Sequence, residues 1–481
     1  MKNNVARAVE EIEDIVGSGN LSTDEADIYA YSFDASVHSS RPDAVARPSS
    51  VEEVSQIMSI AYKYEVPVTP RGAGTSLCGA SLAWRGGILL DMTRMRKVKD
   101  VRIEDLYVVV EPGLTYREVN EALEKYGFFF PPDPASGDVC TIGGMVGCNA
   151  SGAHSVKYGA TRDHVLGLEV VLADGRIVRT GSRTLKHSSG YQLAKLFVGS
   201  EGTLGVVTEA TIKVTPLPEY VSTLVAFFDR LEEAGRAISS IISKGLIPYS
   251  LEIMDNTCIR AAESYARIGL PTDAEGMIIV EFDGKPSVVS EQIDEARRIV
   301  EKFEPVSLEF SDDPNRRMQL WKARKSVLPA LSRLEGGLVS TSLADDMVVP
   351  MSKIADALKA YNAIAGKYDV VIGLYGHAGD GNLHAKFLLN VTDLESWKKA
   401  FKACWEIYER TVSLGGALSG EHGVGFTKSP FMKLEHASDL DVMRIIKKAL
   451  DPKNILNPGK LALEKDVDSF VYKLRYPVEG V

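Results

Sequence analysis

The pattern of the chain changes at Pro216-Leu217-Pro218, and this change constrains the fold more than any other feature. Before it, short apolar stretches alternate with glycine-rich turns. After it, a strand, helix, strand order occurs twice, over residues 223–254 and 277–310, which predicts an antiparallel sheet backed by helices, of ferredoxin-like type. We therefore expect two domains, residues 1–218 and 219–481, joined by a proline-containing linker.

Composition narrows the class of protein. The chain has 481 residues, a net charge of −10 and 45% hydrophobic residues, with no run of 18 apolar residues. An acidic balance disfavours binding to nucleic acids or anionic membranes. We expect a cytoplasmic globular protein with room for large cores.

The five cysteines are odd in number and scattered, and none forms a C-x-x-C pair. This pattern is not typical of a secreted disulfide framework or of an iron–sulfur cluster held by this chain alone. If the protein handles electrons, they must pass to a partner or to a diffusible acceptor.

The first chemical motif is the loop Arg71-Gly72-Ala73-Gly74-Thr75-Ser76, which directly follows a strand-like stretch. Its backbone N–H groups and hydroxyls are suited to an anion nest. It is neither a Rossmann fingerprint, because glycine is missing at Leu77, nor a Walker A motif, because no Gly-Lys-Ser/Thr follows. An ordinary turn is the alternative, since glycines mark turns in every fold.

The second motif comprises His377-Ala378-Gly379-Asp380-Gly381-Asn382-Leu383-His384 and Glu421-His422-Gly423. Two imidazoles and a carboxylate are suited to a divalent transition metal with open positions for substrate. The two histidines are spaced so that they can face one ion only if residues 379–382 turn the chain. A purely structural cluster is the alternative.

Several motifs together resemble a known family. Pro70 to Ser76, Pro132-Asp133-Pro134 with Thr141-Ile142-Gly143-Gly144 and Asn149-Ala150-Ser151-Gly152, and Gly199 to Gly205 are similar to the FAD-binding half of the vanillyl-alcohol oxidase and p-cresol methylhydroxylase flavoproteins. The second motif and the closing residues 451–460 resemble the branch of D-lactate dehydrogenases, glycolate oxidase D subunits and D-2-hydroxyglutarate dehydrogenases. The resemblance runs from about residue 20 to 461.

This resemblance implies an α+β protein with a two-part FAD-binding domain of the p-cresol methylhydroxylase type and a ferredoxin-like α/β substrate, or cap, domain, with the tail near 455–461 returning to the flavin. FAD is expected to be non-covalent, because the phosphate loop has no histidine to tether it. The residues implied in FAD binding are Arg71, Gly72, Ala73, Gly74, Thr75, Ser76, Pro134, Ser136, Thr141, Gly143, Gly144, Asn149, Ser151, Gly152, Glu201, Gly202, Gly205, Val206, Val207 and Asn457.

The resemblance also implies site roles in the C-terminal half. His377, His384 and Glu421 would hold a divalent metal, with zinc favoured over manganese or iron. His422 would be the base that removes the hydroxyl proton, since adjacent side chains in an extended loop point apart; orienting Glu421 is its alternative role. Arg324 matches a position that grips the substrate carboxylate, although without the family it is one of several basic residues on an exposed helix face. The acids Asp345 and Asp346 would repel a second substrate carboxylate, which favours a small monocarboxylate, although Lys322 or Lys325 could substitute as a partner for one.

The expected activity is metal-assisted oxidation of a small D-2-hydroxy acid, D-lactate in the first place, with hydride transfer to flavin. The alternatives are the flavin subunit of a glycolate oxidase-type complex and a non-redox enzyme like alkyl-dihydroxyacetone-phosphate synthase. The electron acceptor would be a quinone, a cytochrome, an electron-transfer flavoprotein or an iron–sulfur subunit, which could bring the protein to the inner face of the membrane. A homo-oligomer is expected.

Overall fold

The computed structural model describes residues 2–334, 337–464 and 473–477. The chain forms two compact units. Unit 1 comprises Met1–Ser151, Gly159–Leu217 and Glu421–Arg475, and unit 2 comprises Gly152–Tyr158, Pro218–Gly420 and Tyr476–Val481.

The elements before residue 217 are short. In chain order they are α1 (Lys2–Val16), β1 (Leu21–Ser22), α2 (Glu25–Ala30), β2 (Ala44–Ala46), α3 (Val51–Tyr64), β3 (Val68–Arg71), β4 (Ile88–Asp91), β5 (Val98–Arg102), β6 (Tyr107–Val110), α4 (Tyr116–Glu124), β7 (Phe128–Phe129), α5 (Ile142–Cys148), α6 (Ser155–Tyr158), α7 (Thr161–His164), β8 (Val165–Val171), β9 (Ile177–Gly181), α8 (Leu193–Phe197), β10 (Val206–Lys213) and β11 (Thr215–Pro216).

Unit 1 holds two larger sheets. The first has the order β1-β2-β4-β3, with β2 and β3 parallel to β4, and the second is antiparallel with the order β5-β6-β10-β8-β9. Polar caps begin the helices that lead to the candidate site: Ser50 accepts the N–H of Glu53, and Thr141 accepts the N–H of Gly144. Such caps satisfy backbone donors that a helix leaves without partners.

The remaining elements are longer. They are β12 (Tyr220–Phe228), α9 (Leu231–Ser243), β13 (Ser250–Asp255), α10 (Asn256–Ala266), β14 (Gly276–Gly284), α11 (Pro286–Val300), β15 (Ser307–Ser311), α12 (Pro314–Lys325), α13 (Val327–Leu331), β16 (Val339–Thr341), β17 (Met347–Val348), α14 (Ile354–Tyr368), β18 (Val371–His377), β19 (Asn382–Leu389), α15 (Leu394–Ser413), α16 (Met432–Glu435) and α17 (Leu440–Leu450).

Unit 2 is built on an antiparallel sheet with the order β15-β12-β14-β13-β18-β19-β16. Its first four strands have the order of a ferredoxin-like sheet, which confirms the expectation from the repeated βαβ pattern. The hairpin β18 and β19 extends this sheet and carries His377 and His384.

Some elements differ from what the sequence predicts. The sequence predicts a single helix over residues 313–334, but α12 ends at Lys325 and α13 starts at Val327, with Ser326 capping the break through contacts to Ala323. Helix α10, which buries Cys258, Ile259, Ala261 and Ala262, was not predicted.

Residues 421–475 lie in unit 1, whereas the predicted boundary placed them in the C-terminal domain. The physical reason is backbone pairing: the N–H of Val68 donates to the carbonyl of Ile455 at 2.7 Å, and the N–H of Asn457 donates to the carbonyl of Val68 at 2.8 Å. These bonds add the tail to β3, the strand that leads into the phosphate loop.

None of the helices within the described residues combines the length and the apolar content needed to cross a bilayer.

Candidate functional site

Unit 1 contains a cleft beside the phosphate loop. Seventeen of the residues expected to bind FAD line it: Arg71, Gly72, Ala73, Gly74, Thr75, Ser76, Pro134, Ser136, Thr141, Gly143, Gly144, Ser151, Glu201, Gly202, Gly205, Val206 and Val207. Residues that the sequence analysis did not propose also line it, among them Leu77, Met92, Cys140, Phe197 and Ser200. Ser200 lies within the Gly199 to Gly205 motif and Leu77 directly follows the phosphate loop, so the motifs could have indicated both, whereas Met92, Cys140 and Phe197 lie outside the motifs.

The phosphate loop packs tightly against the start of α5. A side chain at Gly72 would place its Cβ 2.1 Å from Oγ1 of Thr141, and Gly74 has a φ of +71°, where a Cβ would meet the guanidinium of Arg71. Glycine is therefore required at both positions. The result is a loop whose backbone lies against the first turn of a helix, an arrangement that favours an anion.

Arg71 ends β3 at the wall of the cleft. Its Nη2 donates to the carbonyl of Phe33 at 2.7 Å, while Nη1 is buried and has no hydrogen-bond partner among the described residues. Burial lowers the pKa of this guanidinium. A buried donor without an acceptor is costly, and a phosphate oxygen would satisfy it. These features fit the pyrophosphate of FAD.

Three expected FAD-binding residues do not line the cleft. Asn149 ends α5 in the left-handed conformation and accepts the N–H of Arg162, and Gly152 belongs to unit 2, where its N–H donates to Ser155. Asn457 is buried and donates to the carbonyls of Ala80 and Glu201. Asn457 thus links the phosphate loop region to the Glu201 turn.

Glu421 and His422 also lie on the wall of this cleft in unit 1. Oε2 of Glu421 accepts the hydroxyl of Ser151 at 3.3 Å, and Sγ of Cys78 donates to the carbonyl of His422. The Nε2 of His422 is 3.4 Å from Oε1 of Glu421. The two side chains therefore approach each other, and the expectation that they point apart is wrong, because the chain bends at these residues instead of being extended.

Glu201 fixes the loop that carries His422. Its buried carboxylate accepts the N–H of Val424 at 2.6 Å and that of Gly425 at 2.8 Å. Burial raises the pKa of Glu201 to about 7, and the two backbone donors oppose that rise. Glu201 therefore supports the loop in addition to lining the cleft.

In unit 2, the chain turns between β18 and β19. This is the turn that His377 and His384 need if both are to face one ion. Gly381 has a φ of +85°, and a Cβ there would lie 2.0 Å from the carbonyl oxygen of Val349. His384 pairs with Tyr375 across the hairpin, which places His377 on the same face. The centroids of the two imidazoles are 5.5 Å apart.

Each imidazole is paired with a buried carboxylate through Nδ1. Nδ1 of His377 is 2.8 Å from Oε1 of Glu252, its cross-strand neighbour on β13, and Nδ1 of His384 is 3.0 Å from Oδ1 of Asp345. A carboxylate accepts, so Nδ1 donates and a neutral imidazole presents the Nε2 lone pair. This arrangement is characteristic of metal-binding histidines.

The sequence analysis missed Glu252, which lies within a strand and belongs to no motif. Burial alone would raise the pKa of Glu252, but the charges of Arg324 and His377 outweigh burial and hold that pKa below its usual value. Nη2 of Arg324 is 2.5 Å from Oε2 of Glu252.

Arg324 is buried, with 8% of its side chain exposed, so the alternative of a basic residue on an exposed helix face is wrong. Its guanidinium lies 4.7 Å from the ring centroid of Tyr375. Nη2 of Arg324 is engaged by Oε2 of Glu252, whereas the buried Nε has no hydrogen-bond partner among the described residues. A further acceptor could therefore bind at Nε.

Asp345 and Asp346 do not stand in open space beside a substrate. Asp345 contacts His384 and Lys386, and Asp346 accepts the amide of Asn382 at 3.0 Å and the hydroxyl of Ser419 at 2.6 Å. Asp346 and His384 also bring potential ligand atoms within 4.8 Å of each other. Both acids are therefore buried and hydrogen-bonded within unit 2.

Comparisons with known proteins agree with the site. A family described as FAD binding domain matches residues 42–181, and one described as FAD linked oxidases, C-terminal domain, matches residues 217–461. The glycolate oxidase subunit GlcD of Bacillus subtilis is 40% identical over 94% of this chain and 96% of its own length.

The mitochondrial D-lactate dehydrogenase [cytochrome] of Arabidopsis thaliana is 36% identical over 92% of this chain and 78% of its own length. Among solved structures, p-cresol methylhydroxylase with substrate bound superposes with a TM-score of 0.78 at 17% identity, covering 96% of this chain and 97% of that one. At that identity the likeness concerns the fold, and it confirms the expected fold class.

Proposed function

Because the chain belongs to the FAD-linked oxidases, we propose that this FAD-dependent oxidoreductase converts small D-2-hydroxy acids, D-lactate in the first place, to the corresponding 2-oxo acids. The observation that carries the proposal is Arg324, a buried guanidinium whose Nε has no hydrogen-bond partner among the described residues, next to the His377 and Glu252 pair in unit 2. Such a guanidinium matches the planar carboxylate of a hydroxy acid.

The residues of this chain have separate roles in the proposed reaction. Arg324 binds and orients the substrate carboxylate. His422, which is partly buried on the wall of the cleft in unit 1, removes the proton of the substrate hydroxyl. The cleft, with Arg71 and the phosphate loop, holds non-covalent FAD, which when bound accepts the hydride from the substrate carbon.

We further propose His377, His384 and Glu421 as ligands of a divalent metal, with zinc favoured over manganese or iron. The support is the carboxylate behind each imidazole, which fixes Nε2 as the ligating atom. A metal bound there would lower the pKa of the substrate hydroxyl and ease its loss of a proton to His422.

Glycolate oxidation as one subunit of a larger complex is the second candidate, favoured by the 40% identical relative from Bacillus subtilis. In either case the electrons pass to an acceptor protein or a quinone. A small monocarboxylate is common to both candidates.

Anaerobic rapid mixing with D-lactate, L-lactate, glycolate and D-2-hydroxyglutarate tests the proposal through bleaching of the flavin. D-lactate is expected to reduce the flavin at least tenfold faster than L-lactate. If glycolate is faster than D-lactate, the second candidate is preferred. If none of the four acids bleaches a flavin that dithionite does reduce, the proposed activity is wrong.

A further inference from the structure

A buried lysine lies two residues beyond His384 on β19. Lys386 is 1% exposed, and its Nζ donates to Oγ of Ser342 at 2.9 Å and pairs with Oδ2 of Asp345. Residues two apart on a strand share a face, so Lys386 and His384 both approach the segment that carries Asp345. The two carboxylate oxygens of Asp345 are thus divided between an imidazole and an ammonium group.

The second imidazole has the same kind of support. Oε1 of Glu252 faces Nδ1 of His377, and Oε2 faces Arg324. Unit 2 therefore contains two side-chain triads, each made of an imidazole, a carboxylate and a cation. The two imidazoles are adjacent, and each cation contacts its carboxylate. In each triad the cation compensates a buried carboxylate whose charge would otherwise be expensive in the protein interior.

The two cations differ in one respect. Nε of Arg324 has no hydrogen-bond partner among the described residues, which suits a ligand, whereas Nζ of Lys386 is already engaged by Ser342 and Asp345. These contacts indicate that Lys386 acts on Asp345 and not on a substrate.

We propose that Lys386 is a positioning residue that sets the metal affinity of His384 through Asp345; the inference rests on the metal site of the proposed function. Lys386 and Ser342 hold the carboxylate in one orientation, and the carboxylate holds the imidazole ring with Nε2 directed towards the ion. Removal of the ammonium group leaves Asp345 able to rotate towards other donors, so the ring loses its fixed direction.

Zinc affinity of the FAD-loaded enzyme, measured by competition with a chromophoric chelator after metal removal, tests this inference. Lys386→Met and Asp345→Asn are each expected to weaken zinc binding about 10- to 100-fold. The double variant is expected to bind zinc no more weakly than Asp345→Asn alone, because the lysine acts through the aspartate. Lys402→Met, on the exposed face of α15, is the matched control and should bind zinc like the parent.

Ser342→Ala keeps the charge pair and removes one contact of Lys386, so it should fold even if Lys386→Met does not, and it is expected to weaken zinc binding several-fold. Unchanged zinc affinity in Lys386→Met, or in Ser342→Ala where Lys386→Met fails to fold, overturns the inference. A double variant in which the losses of zinc affinity from Lys386→Met and Asp345→Asn add also overturns the inference. If Lys386→Met keeps its zinc affinity but changes the preference between D-lactate and D-2-hydroxyglutarate, Lys386 is a substrate residue instead.

A parent enzyme that binds no zinc, manganese or iron contradicts the metal site itself and this inference with it. Flavin reduction by D-lactate, measured on the same parent, then shows separately whether the proposed oxidation stands.

Discussion

At the scale of single residues, the two imidazoles of the hairpin differ from ordinary core histidines in their partners. Each is held by a buried carboxylate, and each carboxylate is held by a cation. The histidines could be identified from the sequence because they form a motif. Glu252 could not, because it lies 125 residues from His377 and becomes its neighbour only through the pairing of β13 with β18.

Arg324→Met is expected to weaken D-lactate binding about 30- to 1,000-fold, since loss of a charge-assisted pair in a desolvated site costs on the order of 2–4 kcal/mol. The concentration dependence of flavin reduction in rapid mixing gives this constant. Lys325→Met changes the exposed neighbour on the same helix and should bind D-lactate like the parent. Equal binding by Arg324→Met would remove Arg324 from the substrate site.

His422→Ala is expected to lower the limiting rate of flavin reduction about 100- to 10,000-fold with a modest change in D-lactate affinity, because a base contributes mainly in the transition state. The same rapid-mixing experiment separates the two quantities. The control is His436→Ala, which removes a histidine whose ring pairs with Asp439. A variant at position 422 that reduces flavin as fast as the parent places the base elsewhere.

At the scale of elements, most helices and strands could be predicted because their apolar periodicity and caps are local. Helix α10 was not predicted, and the residue that caps it also makes a tertiary contact. Oδ1 of Asp255 accepts the N–H of Cys258 at its N-terminus, while Oδ2 accepts the N–H of Leu374 on β18, each at 2.8 Å. The cap therefore also joins the helix to the strand that carries His377.

The pH dependence of stability tests this cap. Burial raises the pKa of Asp255 to about 6, above its ordinary value of 3.8, against the effect of the two backbone donors. Since the folded state holds the proton more tightly than the unfolded state, the contribution of Asp255 is greatest below pH 4 and is lost as the pH rises to 6.

The stability advantage of the parent over Asp255→Asn should therefore shrink by about 1–3 kcal/mol between pH 4 and pH 7, measured by denaturant unfolding at each pH. The asparagine does not titrate, so the difference between the two proteins isolates this carboxyl. A difference that is constant or grows with pH would contradict the raised pKa.

At the scale of the whole molecule, denaturation of the protein is expected to release intact FAD into solution. Among the residues that line the cleft, His422 is the only histidine in the described part of the chain. His164 is buried against Phe130, and His187 is exposed and bonded to Ser189, so neither is placed to tether the flavin.

Acid precipitation should release all of the flavin into the supernatant, where its absorbance and fluorescence are measured. Flavin that stays with the polypeptide on a denaturing gel would disprove non-covalent binding. The same measurement on His422→Ala would then show whether the one histidine on the cleft wall is the point of attachment.

The sequence by itself determined the features that short stretches of chain encode: the phosphate loop, the repeated βαβ pattern and the turn between His377 and His384. Each depends on neighbours within a few residues, on glycine at a positive φ, or on the period of a helix or strand. Only the tertiary structure decided that Arg324 is buried, that residues 421–475 pack with unit 1, and that Asp345, 39 residues from His384, supports its ring. These contacts depend on strand register and on the packing of distant segments, which no local pattern records.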